Sequence, residues 1–409
     1  MTWSGDEMTN AVARRPRRIL FVEGNDDETV GGSHRSMFDL VRLIDRELFT
    51  PVVCFYRDNE FVDQYRKIGV EAHVVEDRRR RELQAREQGA RWRIWSSAIA
   101  GIFWRRAMLR RLRIDLLHIN NSVLVAADDW LPAARLRRIP TVCMARGDAV
   151  IESRRVRFLA RFFDRIVAVS LHMSEAVLSF GVAVERVAMV HNGIDFERLR
   201  GGVERSKFDV REELRVRDGQ VLALMVGNIR EWKGQHVVLE ALAALPPEIR
   251  AQVHIAFVGD TGIADRAYHE LLRELVRSGH LEDQVDFLGP RTDVSTLLSA
   301  SDIALHCSVL PEPFGRVVPE AMGLGVPIVA SSIGGPREVV TETSGRLFDP
   351  GKPEQLAAIL RDLIEHPEHR ASISAAGRLR AQDFGVQRMV AGVTRVYLDV
   401  LRERGDDGA

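Results

Sequence analysis

Short apolar runs alternate along the whole chain with longer stretches whose apolar residues recur three and four apart. In the first half the runs are Ile19 to Val22, Pro51 to Phe55, Ile114 to Asn121, Pro140 to Ala145, Ile166 to Ser170 and Val187 to Val190. In the second they are Val221 to Val226, Val253 to Gly259, Gln284 to Gly289, Ile303 to His306 and Pro327 to Ala330. Runs this short read as buried strands, and amphipathic stretches such as Ser36 to Leu48 and His236 to Leu245 read as the helices that cross between them. The alternation predicts an α/β fold with parallel sheets covered on both faces. A linker over Phe196 to Ser206, with Gly201-Gly202 as a hinge, divides the chain into domains 17–200 and 207–385. Helices over Pro353 to Glu365 and Ala371 to Gln382 close the second domain. The terminal stretch, 386–404, carries Met389, Val393, Val396 and Val400 on one stripe beside Tyr397 and Leu401, which predicts a docked helix. Residues 1–16 read as a flexible tail.

With 409 residues, 45% of them hydrophobic, the chain can bury two cores. Its 58 basic and 58 acidic residues balance, so no global field points to nucleic acid. Cys54, Cys143 and Cys307 are far apart and each sits in an apolar run. They read as buried thiols of a reducing compartment, neither a disulfide framework nor a zinc site. No apolar run of signal-peptide length follows Arg14 to Arg18, and no uninterrupted apolar stretch reaches the roughly 18 residues of a membrane span. A cytoplasmic location is expected.

In open parallel sheets ligands bind beyond the carboxyl ends of the strands, so the loops that leave those ends carry the chemistry. Between the runs at Ile303 and Pro327 lies Leu310-Pro311-Glu312-Pro313-Phe314-Gly315-Arg316-Val317-Val318-Pro319-Glu320-Ala321-Met322. Gly315 allows a tight turn into a helix, and the amides from Gly315 to Val318, lacking intrahelical acceptors, suit an anion. Pro319 fits a first turn, where a missing N–H costs least. Glu312 and Glu320 make poor phosphate ligands but good acceptors for vicinal sugar hydroxyls. After Val226 comes Gly227-Asn228-Ile229-Arg230-Glu231-Trp232-Lys233-Gly234, whose cations above a helix start form a diphosphate clamp. At the end of the first strand, Gly31-Gly32-Ser33-His34 lets backbone approach a ligand closely.

Pro-Glu-Pro-Phe-Gly, Glu-Ala-Met and Gly-Val-Pro around the two glutamates resemble the Glu-x7-Glu donor motif of the retaining glycosyltransferases of family 4. That resemblance implies a GT-B fold, two Rossmann-like domains facing each other across a cleft, with the terminal helix returning to the first domain. It places Glu312 on the sugar, Glu320 on the ribose, and Phe314, Gly315, Arg316 and Val317 at the donor. Gly31 and Gly32 fall where the family holds donor diphosphate and acceptor, with Ser33 and His34 beside them. Lys233 matches the family's lysine, whereas Asn228 replaces its arginine; Arg230 is the candidate substitute. Leu288 and Arg291 fall where the family holds the base, largely by backbone. His118 and Asn120 both match the family's sugar-facing histidine loosely, and Arg146 stands where a histidine is common, which suits an anionic acceptor. The donor implied is a nucleoside diphosphate sugar, UDP- or GDP-linked, with no cofactor.

Arg78 to Arg113 holds twelve arginines against Glu82 and Glu87, interleaved with Trp92, Trp95, Phe103 and Trp104. One reading places Trp95, Ile99 and Ile102 on a core-facing helix side with a solvated basic face. The other is a helix lying on an anionic membrane or meeting a lipid-phosphate acceptor. No nucleic-acid motif accompanies the segment. The chain has no Gly-x-Ser-x-Gly, Walker loop, His-Glu-x-x-His or Asp-x-Asp, so no metal is expected at the diphosphate. The expected activity is retaining transfer of a sugar to a hydroxyl acceptor, in cell-surface polysaccharide or glycolipid synthesis. A sugar-nucleotide epimerase of the same architecture and a degenerate sugar-nucleotide binding subunit are the alternatives.

Overall fold

The computed structural model describes residues 15–23, 31–75, 91–121, 129–147, 154–262 and 265–405. The first unit contains β1 (Arg17–Glu23), α1 (Gly32–Leu43), β2 (Phe49–Phe55), β3 (Glu71–Val74), α2 (Arg91–Arg111), β4 (Leu116–Asn120), β5 (Thr141–Ala145), β6 (Arg165–Ala168) and β7 (Val187–Met189). Its strands form one sheet in the order β3-β2-β1-β4-β5-β6-β7. All neighbours are parallel. Ile19, Leu20, Phe21 and Val22 are fully buried, as a central strand covered on both faces must be. Strand β3 has no such run, because an edge strand exposes Glu71 and half-buries the rest. Helix α1 starts at Gly32 rather than Ser36 and stops at Leu43 rather than Leu48. Ile44 turns extended there, and the Phe49 amide closes a turn on the Asp45 carbonyl.

The second unit contains β8 (Val221–Val226), α3 (Gln235–Ala244), β9 (Val253–Val258), β10 (Val285–Phe287), β11 (Ile303–His306), α4 (Val317–Leu324), β12 (Ile328–Ser331), β13 (Arg346–Phe348), α5 (Pro353–Glu365) and α6 (Pro367–Ala381). Its sheet, again parallel, runs β10-β9-β8-β11-β12-β13. Helix α6 starts at Pro367 rather than Ala371, since proline is preorganised for a first turn. The last helix, α7 (Val386–Glu403), belongs to the first unit almost from its start.

The two compact units are 1–193 with 387–409, and 194–386. This corrects the expected boundaries at 200 and 207, and the hinge at Gly201-Gly202. Phe196 opens a helix whose ring packs on Gly323, where a Cβ would lie 2.2 Å from its Cε1. The Thr296 hydroxyl accepts from the Glu204 amide at 3.0 Å and donates to the Gly202 carbonyl at 3.1 Å. Residues 196–206 are therefore packed structure of the second unit.

Helix α7 is docked through the stripe expected of it: Met389, Val393, Val396, Tyr397 and Val400 are buried. Tyr397 also settles the role of His118. The histidine lies within β4, completely buried, with its Nδ1 2.7 Å from the Tyr397 hydroxyl and its ring 4.9 Å from Phe21. Burial, helped by the Arg146 charge, pushes its pKa down to about 3. Its ring is enclosed by Phe21 and Tyr397, so the structure places His118 in the core of the first unit and not at the crevice where it was expected.

Tyr397→Phe should therefore destabilise the chain by about 1–3 kcal/mol, the cost of leaving a buried partner unsatisfied. Urea unfolding measures this, and the donor KM of the folded variant should not change.

Candidate active site

Loop 307–316 leaves the carboxyl end of β11 and carries Glu312. Its Oε2 lies 2.8 Å from Lys233 Nζ, 2.6 Å from His306 Nε2 and 3.1 Å from the Ser308 hydroxyl. Burial alone would raise the carboxyl's pKa. The Lys233 charge and His306 outweigh that and hold it well below the usual carboxylate range. All three donors reach one oxygen, which leaves Oε1 for another partner. His306 and Ser308 were not anticipated, although their place at a strand's carboxyl end is the same signal that singled out Glu312.

A second loop fixes this one from behind. Gly334 has φ +65°, and a Cβ there would stand 2.3 Å from the Glu312 carbonyl oxygen and 2.7 Å from its nitrogen. The Gly335 amide donates to the same carbonyl at 2.8 Å. Gly315, at φ +73°, makes the turn into α4, with Pro336 packed where a Cβ would go. Phe314 is buried against Phe384, so its side chain anchors the loop in the core rather than meeting a donor. At the helix start the Val318 amide is taken by the Gly315 carbonyl, so Val318 drops out of the amides expected to meet an anion, and Val317 is the last of them. Glu320 pairs with Arg316 at 3.1 Å on the same turn.

Lys233 arrives from the loop after β8. Its ammonium rests 4.3 Å from the centre of the Trp232 ring, and its stem packs on Gly227. The carbonyl of Asn228 is held by the Gln235 side chain at 3.0 Å. Arg230 is half-exposed and turned to Asp265, 3.6 Å away. Arg291 does not present its guanidinium to a ligand: it binds Asp293 through two nitrogens at 2.8 Å and Glu213 at 2.7 Å. Arg205 joins the same acids. Arg291 is therefore a structural member of an ion-pair cluster, leaving the base position to backbone. The Leu288 amide is already committed to the Phe257 carbonyl at 2.9 Å.

In the first unit, Gly31 is the N-cap of α1, Gly32 is exposed and Ser33 is half-buried. His34, expected at the acceptor, is instead buried between Phe55 and Phe61. Asn120 is buried too; its amide donates to Glu23 at 2.5 Å and the Ser33 carbonyl at 3.4 Å. It therefore ties the ends of β4 and β1 to the start of α1, and Glu23 is a partner that the sequence did not suggest. Arg146 follows β5 directly and is buried, its amide bonded to the Asn121 carbonyl. Helix α2 also differs from expectation: Ile99 and Phe103 are 52% and 58% exposed, while Gly101, Arg105, Met108, Leu109 and Leu112 face inward. Residues 78–90 and the side chains of Trp92 and Trp95 lie outside the described part.

Two parallel-sheet units, with the Lys233–Glu312 pair at strand ends and Glu320 one helix turn beyond Gly315, define the class of GT-B glycosyltransferases. The "Glycosyltransferase Family 4" model matches residues 30–198 and the "Glycosyl transferases group 1" model residues 206–380. The chain belongs to glycosyltransferase family 4 and is a transferase. It is 27% identical to spore coat protein SA of Bacillus subtilis over 71% of this chain and 80% of that protein. It is 29% identical to D-inositol 3-phosphate glycosyltransferase of Thermobifida fusca over 71% and 73%. Among solved structures it resembles Anabaena HepE in complex with UDP-glucose, with 26% identity, a TM-score of 0.75, and 93% and 99% of the two chains covered.

Gly334→Ala should force the Glu312 backbone to move. A displacement of an ångström at such a site costs on the order of 100-fold in turnover. Steady-state kinetics with the fold checked by circular dichroism tests this, and turnover within about threefold of wild type would contradict the clamp.

Proposed function

We propose that the chain moves a hexose from a UDP- or GDP-linked donor to a hydroxyl of a glycan or lipid-linked acceptor, with retention and without a metal ion, in cell-surface polysaccharide or glycolipid synthesis. The observation that carries this is that Lys233, His306 and Ser308 all reach one oxygen of Glu312, eight residues before Glu320, and in this reading the other oxygen accepts from a sugar hydroxyl. The solved HepE complexes with UDP and with UDP-glucose support the donor class. In the reaction the bond from the anomeric carbon to the diphosphate oxygen breaks, its electrons leaving with the diphosphate. The acceptor oxygen bonds to that carbon from the same face, and its proton passes to the departing phosphate. Lys233, the amides of Gly315 to Val317 and Arg230, once drawn from Asp265, meet the leaving charge.

NMR of the products, after thermal-shift screening of UDP, GDP, ADP and dTDP, tests donor and stereochemistry together; an inverted product would sink the retaining assignment. Glu320→Ala should weaken binding of the nucleoside diphosphate by about 1.5–3 kcal/mol, as loss of charge-assisted bonds to the ribose would. Glu312→Ala should lower turnover and leave that affinity nearly intact. Lys233→Ala should lower turnover by about 100-fold or more. Arg230→Ala should follow it and Asn228→Ala should be mild; calorimetry and initial rates distinguish these outcomes.

A separate observation favours an acceptor held at an anionic membrane. Helix α2 turns Ile99, Phe103, Arg106 and Arg110 outward on one stripe, and Arg111 and Arg113 are exposed beside them. Arg105 is not part of that surface, because it is buried in an ion pair with Asp129 at 3.1 Å. None of the helices among the described residues is long and apolar enough to cross a membrane. Each exposed arginine is worth roughly 1 kcal/mol at an anionic surface. Co-sedimentation with anionic vesicles should therefore fall with salt and be lost when Arg106, Arg110, Arg111 and Arg113 become Gln; no binding at low salt would end this reading.

A further inference from the structure

The elbow between α5 and α6 gathers three side chains that nothing in the transfer chemistry uses. Asp362 lies in the last turn of α5, His366 is its C-cap, and His369 stands in the first turn of α6. His366 Nδ1 is 3.3 Å from Asp362 Oδ1 and His369 Nδ1 is 3.0 Å from the same oxygen. The three candidate ligand atoms all lie within 4.8 Å of one another, and the two imidazoles are stacked with centroids 4.8 Å apart and 26° between their planes. All three side chains are between a third and a half exposed, so an ion could reach them from solvent.

We propose that Asp362, His366 and His369 bind a late first-row divalent cation of the zinc type, at a site separate from the sugar-transfer centre. A tetrahedral ion about 2.0–2.1 Å from nitrogen and oxygen ligands sets its ligands roughly 3.3–3.4 Å apart. The two Asp–His separations stand at 3.3 and 3.0 Å, and the two histidine nitrogens lie within 4.8 Å of each other, so coordination needs the rings to turn toward a common point. Two imidazoles with one carboxylate select zinc, cobalt, nickel or copper over magnesium and calcium, which prefer oxygen alone. The same contacts also serve as hydrogen bonds, with His369 Nδ1 3.0 and 3.1 Å from the two Asp362 carboxylate oxygens, so a bound ion would replace those bonds. Three protein ligands leave a fourth position for water.

The backbone prepares this site. His366 precedes Pro367, which keeps it out of the helical region at φ −123° and ψ 84°, breaking the helix and leaving both histidines beside Asp362. In the absence of an ion, His366 Nδ1 is also 3.0 Å from the Asp362 carbonyl. A carbonyl only accepts, so that nitrogen carries the proton there; coordination would use the other tautomer, with the proton on Nε2 and the Nδ1 lone pair on the ion. The ion would touch no substrate; its effect would be to pin α5 to α6. Helix α6 in turn rests on α4, with the Ser374 hydroxyl donating to the Gly325 carbonyl at 2.6 Å and Gly377 packed on Met322. The clip would therefore brace the helix that carries Glu320.

Tag-free full-length protein, stripped with chelator and titrated with Zn2+ in a calorimeter, should bind one ion per chain. Co2+ at the same site should show the visible absorption of a low-coordinate nitrogen and oxygen set, and excess Mg2+ should not compete. Zn2+ at a hundredfold excess over its dissociation constant should raise Tm by roughly 3–8 °C. His369→Asn and Asp362→Asn, each checked for folding by circular dichroism, should lose at least tenfold in Zn2+ affinity and lose the Tm rise. Zn2+ binding unchanged in both variants, no saturable binding to wild type, or equal displacement by Mg2+ would each overturn the proposal.

Discussion

A carboxylate with little access to water organises the strand ends of the second unit. Left to burial alone Glu312 would take up a proton, and a neutral acid there would lose the charge that makes it a strong acceptor. The fold prevents this by bringing donors from two strand ends to one carboxylate oxygen while a third strand-end loop holds the backbone behind it. Lys233 comes from the loop after β8, His306 and Ser308 from the end of β11, and the Gly334-Gly335 turn after β12 clamps the backbone from the other side. The parallel sheet makes this convergence available, because neighbouring strands present their carboxyl ends together. The strand order β8-β11-β12 puts those three loops side by side although they are far apart in sequence.

The first unit uses the same architecture for a different economy. Its buried polar groups are turned on one another: Asn120 on Glu23 and the Ser33 carbonyl, His118 on Tyr397, Arg105 on Asp129. Breaking such buried pairs one partner at a time is costly, so they specify where α1, α2 and α7 dock. That is why several residues with the look of ligands are structural. A histidine or asparagine at the end of a buried strand has two ways to satisfy its polar atoms, and only the packing decides between a substrate and a neighbour.

The alternation of apolar and amphipathic stretches made the two parallel sheets legible, and the spacing of glutamates with the Pro-Phe-Gly context singled out the loop whose Glu312 meets Lys233. Strand β3 was hidden because a half-exposed edge strand carries no apolar run. The ends of α1 and the packed segment 196–206 were hidden because they depend on contacts with residues far along the chain, Thr296 and Gly323 among them. The inward face of α2 was misread for a related reason. One of the two readings put Trp95, Ile99 and Ile102 on the core side, whereas the packed side holds Gly101 and Arg105, a residue pair that no hydrophobicity pattern would choose.

That reversal changes what α2 can do. A helix that buries an arginine must supply it with a counter-charge. Asp129 does so at 3.1 Å, with the Trp130 ring 5.4 Å from the guanidinium carbon and a Cβ at Gly101 excluded by the Asp129 carboxylate. Once the buried face is specified by an ion pair and small-residue contact, the apolar residues Ile99 and Phe103 are not required for the core. They stand outside, in line with Arg106 and Arg110. The exposed stripe of apolar and cationic groups, on which the proposed membrane contact rests, thus follows from polarity being placed inward and not from the arginine content of the segment.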